Sequence, residues 1–424
     1  MIASRVVLTL IAGAGILAAQ PGPAATGWLM PNFAFRLSVA VSNPGKDAVR
    51  GLATVSVNQA REVAPEFPGR CAIAISIDEN THAATPIASQ SDDVDGDGIV
   101  DQFEFPVSLA AGERRRVDIY YSTTLNDVIW WPKRVQAKHS YGYNRQVAAF
   151  ESELIGYRTY GGFFLDVQGR AAGNFGLDND LAAYVPPRLD VGIGRDVFHI
   201  GDTLGLGGIY LRRLDKVYQP PMNVPDYAHK PSPEMVPHYR IVADGPLRAI
   251  VESTLDDWAI GNDVIRLKAQ YSIDAGEAFV RCRFQAIPIR LEQDHEYELG
   301  VGIRDLPAES FLPASGQMIV TGRQNRRDGV IGLAVYFDEA QFSLAPQVAT
   351  AESTNRVIVD RLKVGPQGAV RGEYAAAAAW SGSGIQNPGE YLANLSKPVA
   401  ARIDVGGFSF AHTPHPEKVD AEAQ

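Results

Sequence analysis

The chain has 424 residues and a formal net charge of −10 from 39 Lys+Arg and 49 Asp+Glu. That is too long for one ordinary domain and the wrong sign for a nucleic-acid or anionic-membrane partner. Hydrophobic residues make up 46% and charged residues 21%, a globular balance able to bury a large core; with 40 Gly, 27 Pro and few stretches at helical period, it favours an all-β fold.

The N-terminus, MIASRVVLTLIAGAGILAAQPGPAAT, carries one early cation, Arg5, then an apolar run from Val6 to Leu17 and small residues at Ala18, Ala19, Ala24 and Ala25. The run is shorter than the roughly 20 residues a bilayer requires. The expectation is a cleaved signal peptide over residues 1–25 and a periplasmic or secreted protein; the competing reading is an N-terminal anchor. No other stretch could span a membrane.

From Gly27 to Trp130, the segments FRLSVAVSNP, GLATVSVNQ, RCAIAISIDE, DQFEFPVSL and RRRVDIYYST alternate and are broken by Asn-Pro, Pro-Gly and Asp-Gly turns. Strands at this spacing predict an immunoglobulin-like sandwich. Within it, DVDGDGIVDQFE reads like an EF-hand loop, with Asp93, Asp95, Asp97, Gly98, Asp101 and Glu104 at the ligand and turn positions. An EF-hand needs flanking helices, whereas these flanks alternate as strands. Extended chain from Asp101 to Glu104 covers about 10 Å, so Glu104 is expected to point away. Asp93, Asp95, Asp97 and Asp101 remain as candidate ligands for a structural calcium ion in a strand–loop–strand turn, against an acidic hairpin with no metal.

Residues 131 to 146, WPKRVQAKHSYGYNRQ, form a polar, aromatic-rich connection. Over 145–415 longer strands follow. In DVIRLKAQYSI, Ile265, Leu267, Ala269, Tyr271 and Ile273 share one face and Arg266, Lys268 and Gln270 the other; in EAFVRCRFQA, Val280, Cys282 and Phe284 oppose Arg281, Arg283 and Gln285. EYELGVGI, GVIGLAVYF, NRVIVDRLKV and PVAARIDVGGFSF continue the pattern, predicting one large antiparallel β-super-sandwich. A Pro-rich stretch, YQPPMNVPDYAHKPSPEMVPHY, reads as a long loop. Cys71 and Cys282 could pair in an exported protein, but each sits in a strand-like alternation that favours a buried free thiol.

Three constellations carry polar chemistry. In ESELIGYRTY, Glu151, Glu153 and Tyr157 share a strand face with Arg158 and Tyr160 opposite. Two carboxylates about 6.5 Å apart could be a glycosidase pair, and the plainer reading is a Glu153 paired with a buried Arg. In RDVFHIGDTLGLGGIYL, Arg195, His199 and Tyr210 place a cation, an imidazole and a phenol near a Gly-rich turn; the plainer reading is a structural histidine. In the long loop, Tyr227, His229, His238 and Tyr239 could join Trp130, Trp131, Tyr143 and Tyr160 as stacking residues for sugar. Two His nine apart are a poor metal signal, and no G-x-S-x-G or H-E-x-x-H occurs.

Several of these stretches, taken in order, resemble a bacterial family of unknown function, the domain-of-unknown-function family 4861. They are DVDGDGIVDQFEF, LAAGERRRVDIYY, AAFESELIGYRTYGGFFLDVQGR, RDVFHIGDTLGLGGIYL, DGPLRAIVE with W and YSIDAGEAFVR, and WSGSGIQNPGEYL. The resemblance covers most of the mature chain. It implies a galactose-mutarotase-like super-sandwich, as also found in polysaccharide lyases, and work on carbohydrate in the company of polysaccharide-degrading enzymes.

On that footing the expected function is β-elimination on a uronate-containing oligo- or polysaccharide. Arg158 or Arg195 would neutralise the uronate carboxylate, His199 would take the weakly acidic C5 proton, and Tyr210 would protonate the leaving oxygen. The acidic net charge favours a short oligosaccharide over a highly charged polymer. Competing expectations are a glycoside hydrolase using Glu153 with Asp196 or Asp202, a sugar epimerase, and a non-catalytic carbohydrate-binding protein in which His199 packs against backbone carbonyls.

Overall fold

The computed structural model of the protein describes residues 28–30, 32–77, 83–124, 130–142, 145–170, 175–177, 194–221, 236–307, 309–324, 329–366, 368–395 and 403–412. The expected signal peptide lies outside them. Described residues are almost entirely antiparallel strand, and the chain divides into two compact units, residues 4–132 with 401–424 and residues 133–400.

The first unit is an immunoglobulin-like sandwich. One sheet orders Asp404–His412, Phe35–Ser42, Arg114–Tyr121, Ala72–Ile77 and Ala84–Ile87; the other orders Val49–Ser56, Gln102–Leu109 and Gln90–Asp92. Period-two alternation sends Leu37, Val39 and Val41 inward to meet Val55, Phe103, Phe105, Val117 and Ile119 in one buried core. A short helix, Val57–Val63, interrupts the strands, its N-terminus capped by Ser56, whose hydroxyl accepts the Gln59 N–H at 3.5 Å. The last strand, Asp404–His412, departs from the boundary expected at 415. Its residues pair with Phe35–Ser42, so the C-terminus belongs to the first unit.

The second unit is the super-sandwich. Its eight-stranded sheet runs His238–Asp244, Arg248–Ile260, Asp263–Asp274, Phe279–Arg290, Val370–Trp380, Ile331–Phe337, Gln317–Gly322, Ser310–Ala314. Its ten-stranded sheet runs Phe342–Ala349, Thr354–Val364, Tyr297–Arg304, Leu206–Arg213, Phe164–Arg170, Ile155–Tyr160, Arg145–Ser152, Val135–Gly142, with Gly194–Phe198 and Lys216–Tyr218 paired off this path. Ile265, Leu267, Ala269, Tyr271 and Ile273 are buried in the shared core with Val280, Cys282 and Phe284, as their alternation requires. Opposite, Arg266 pairs with Asp256 at 2.8 Å and Lys268 with Glu252 at 2.9 Å.

Phenols tie the two sheets together. Tyr157 donates its hydroxyl to Ala278 O at 2.5 Å and accepts the Ala378 N–H at 2.9 Å, while Tyr374 donates to Gly207 O at 2.5 Å. Because each phenol is buried, these bonds face no competition from water, and losing one strands its partner. Cys71 and Cys282 are both free thiols; burial pushes Cys282 up to about 12. Among the described residues no helix is long and apolar enough to cross a membrane.

Candidate active site

The sequence TYGGFF turns the chain sharply. Gly161 and Gly162 adopt φ of 53° and 79°, and a Cβ at Gly162 would lie 2.9 Å from Ser253 Cβ, so the turn needs glycine twice over. The hairpin sets Arg158 opposite Asp166 and Gly156 opposite Gln168. Tyr157 and Val167 enter the core, so Gly156, Arg158, Tyr160, Asp166, Gln168 and Arg170 share the other face. Strand Gly194–Phe198 adds Asp196 opposite Gln168, then a register shift places Phe198 opposite Val167. His199 follows directly and is exposed.

Arg158 is fully buried. It is ion-paired with Asp166, lies 3.4 Å from Asp196 Oδ2, and stands with Cζ 5.0 Å from the Tyr160 ring centroid. Burial raises the Asp166 carboxyl above its ordinary range, against the pull of Arg158, of the Val167 N–H that it accepts at 2.8 Å, and of His199. Asp196 keeps 31% of its side chain exposed. The face therefore presents a partly exposed carboxylate and a phenol in front of the buried Arg158 guanidinium, which both Asp166 and Asp196 approach.

A second buried network flanks the first. Glu151 is ion-paired with Arg170 and accepts hydrogen bonds from Gln136 Nε2 at 2.5 Å, Gly176 N at 3.0 Å and Leu177 N at 2.8 Å. Its oxygens are occupied and it is wholly buried, so it is a brace for residues 175–177. Glu153 does not share its strand face as expected, because the strand ends at Ser152. Glu153 instead is ion-paired with the half-exposed Arg134 and accepts the Gly276 N–H at 3.0 Å. The glycosidase pair is not formed by these two.

The remaining candidates scatter. Tyr210 is buried in the core cluster, its ring lying where a Cβ on Gly300 would stand, 2.3 Å away; burial raises its pKa far out of the catalytic range, and it cannot reach a substrate. Trp131 packs in the first unit with Phe33, Ile73, Ile75 and Tyr120, so it serves that unit's packing. His238 opens strand His238–Asp244, exposed, opposite Thr254. Tyr143, Tyr227 and His229 lie outside the described residues, as does the side chain of Arg195, whose backbone pairs with Gly169. Asp202 is buried at 6% exposure, a poor hydrolytic carboxylate. Asp166 escaped the sequence reading, although counting outward from the Gly161–Gly162 turn pairs it with Arg158.

In the acidic turn, carboxylate oxygens of Asp93, Asp95 and Asp101 come within 4.8 Å of one another. Asp97 stands apart from this group and accepts the Ile99 N–H at 2.7 Å. Both Asp93 oxygens accept backbone N–H groups, from Gly96 at 2.6 Å and Gly98 at 2.8 Å. An oxygen-only donor set suits a hard cation, but three carboxylates supply fewer than the roughly 6–8 oxygens calcium takes, so backbone or water would complete the shell. Glu104 is buried and accepts the Thr54 hydroxyl at 2.9 Å, turned to its sheet as its strand position requires.

A family model described as Domain of unknown function (DUF4861) matches residues 74–404. No curated protein matches the sequence. Among solved structures, an alpha-mannosidase from Enterococcus faecalis V583 is similar at 9% identity with a TM-score of 0.44, over 88% of this chain and 46% of that one. A protein in the Glycosyl Hydrolase Family 38 from Enterococcus faecalis gives 9% and 0.45, over 88% and 47%. A galactose 1-epimerase from Lactobacillus acidophilus NCFM gives 11% and 0.26, over 58% and 99%. The chain spans about half the length of the first two.

Proposed function

The chain belongs to the DUF4861 family, and on that premise we propose that it is an exported, carbohydrate-active enzyme cleaving a uronate-containing oligosaccharide by β-elimination. The observation that carries this reading is the exposed His199, one residue past the strand that brings Asp196 to the Arg158–Asp166 pair. The His199 imidazole can serve as a general base. It would take the C5 proton; the C5–H electrons form the C4=C5 double bond, the C4–O bond breaks, and the departing oxygen takes a proton. Tyr160 replaces Tyr210 as the phenol for that last step, being on the site face and only half-buried. Arg158 does not touch the sugar.

A second reading, acid–base epimerisation, is supported by the partial exposure of Asp196, which could return the proton to the opposite face. Pure recognition through a packed His199 has less support, since the residue is exposed. Incubation of the purified protein with uronate oligosaccharides, followed by ultraviolet absorbance of the unsaturated product, tests the proposal. Rising absorbance lost in His199→Ala and reduced in Tyr160→Phe is expected; new reducing ends without absorbance would refute elimination. The acidic turn is proposed to hold a structural calcium ion, outside the chemistry. Calcium should then raise the first unit's melting temperature and leave turnover unchanged, and an identical melt in chelator would remove the ion.

A further inference from the structure

His199 stands one residue past the end of strand Gly194–Phe198. A base that must meet a C–H bond needs a fixed origin, and an exposed residue at a strand end would ordinarily fray. Here a single side chain grips the backbone as a neighbouring strand would. Gln324 accepts the His199 N–H on Oε1 at 2.5 Å and donates Nε2 to the His199 carbonyl at 2.6 Å. One residue engaged through both its N–H and its C=O is the pattern of a hydrogen-bonded antiparallel pair, reproduced by an amide.

Arg304 reinforces the grip. Its Nη1 donates to the carbonyls of His199 at 2.7 Å and Ile200 at 2.8 Å. The next residue, Gly201, adopts a φ of 61°, and a Cβ there would come within 2.1 Å of Glu352 Oε2 and 3.1 Å of Arg304 Nη1. Thr203 donates its hydroxyl to Ile200 O at 2.6 Å, and the Leu204 N–H is accepted by Asn355 at 2.9 Å. Peptides on both sides of the His199 Cα are thus held by groups from separate elements, while the side chain beyond Cβ remains exposed.

We propose that Gln324 is a positioning residue: it fixes the backbone of His199 so that the imidazole is presented at one angle to the substrate. This rests on the reading of His199 as the base, and the experiment separates the two. The full chain, with its eight histidines carrying ¹³C in the ring, is compared by NMR as wild type, Gln324→Leu and Gln324→Glu, with His199→Gln assigning the signal. Turnover on uronate oligosaccharide is measured on the same samples.

Gln324→Leu should move or broaden the His199 ring signal while the other histidines stay in place. It should lower kcat by about ten- to a hundredfold, the scale of a misplacement near 1 Å, with KM little changed. Gln324→Glu keeps the acceptor for the N–H but loses the donor, and should fall between; it carries the test if the leucine variant does not fold. An unchanged His199 signal overturns the proposal, as does a loss of all the histidine signals together, which would mark a prop for the fold. If wild type turns over no uronate, the elimination reading fails and the ring signal alone decides the role of Gln324.

Discussion

Replacing Arg158 with Met strips the buried Asp166 of its counter-charge while keeping side-chain volume. Arg158 is fully buried and Asp166 is 2% exposed, so water cannot take over the solvation the guanidinium provides. Breaking one partner out of a buried pair costs about 3–5 kcal/mol, and the lost contact with the Tyr160 ring adds up to about 1 kcal/mol. The carboxylate can limit that cost by taking up a proton, and burial already holds its pKa above the ordinary value. Losing Arg158 raises it further. A carboxyl whose folded pKa exceeds its unfolded one binds protons more tightly when folded, so its contribution to stability is greatest at low pH and declines as pH rises toward the folded pKa. The penalty of Arg158→Met should therefore be larger at pH 8 than at pH 5, by about 1.4 kcal/mol for each pH unit over which Asp166 titrates. Urea unfolding of the second unit, followed through Trp258 and Trp380, reads this. Adding Asp166→Leu to Arg158→Met should restore most of the loss, because an apolar pair of matching volume replaces a buried ion pair at little cost. A single-variant penalty under about 1 kcal/mol, equal at both pH values, would refute the claim that Asp166 is a desolvated carboxylate held by Arg158.

Asp305 is raised to about 6 by burial and by Glu309, against Arg356 at 3.5 Å. By the same sign its contribution is fully present below pH 3.8 and lost as pH rises through about 6, so Asp305→Asn should flatten the melting profile over that window. The shift corresponds to at most about 3 kcal/mol, discounted to about 1–2 kcal/mol because the side chain is one-quarter exposed; an unchanged slope would contradict it. Tyr210→Phe should leave turnover within about twofold and hold or raise stability by about 1 kcal/mol, since the hydroxyl is buried with no partner among the described residues. Loss of turnover would return Tyr210 to the site.

Much of this was legible where side-chain alternation decides the matter. The faces of the strands carrying Ile265 and Cys282 and the strand position that turns Glu104 away from the acidic turn follow from period two alone. Of the candidate residues, Arg158 and Tyr160 share a strand face as alternation requires, with the guanidinium over the Tyr160 ring. What escaped depends on partners distant in sequence. Tyr210 shares its strand face with Arg212, which pairs with Glu298 at the surface, so alternation alone points the phenol outward; only Gly300, opposite on another strand, leaves room for the ring to lie flat and buried. Trp131, at the head of a polar connection, packs with Ile73 and Tyr120 of its own unit. Gln324 gives no sequence signal, because an amide gripping a backbone 125 residues away has no pattern to read.

The pairing of Asp404–His412 with Phe35–Ser42 has a meaning for synthesis. Strand Phe35–Ser42 of the first unit has its partner, Asp404–His412, on the far side of the second unit in sequence. Some 360 residues separate the two partners, which at ~5–20 residues per second means about 20–70 s of translation. Throughout that interval strand Phe35–Ser42 lacks a neighbour on one side and presents its unpaired N–H and C=O groups as a template for other chains. The second unit, encoded in between, can complete itself while the first waits. A nascent chain of this protein is thus exposed to aggregation at strand Phe35–Ser42, and a premature stop that spares the whole second unit would still leave the first permanently open.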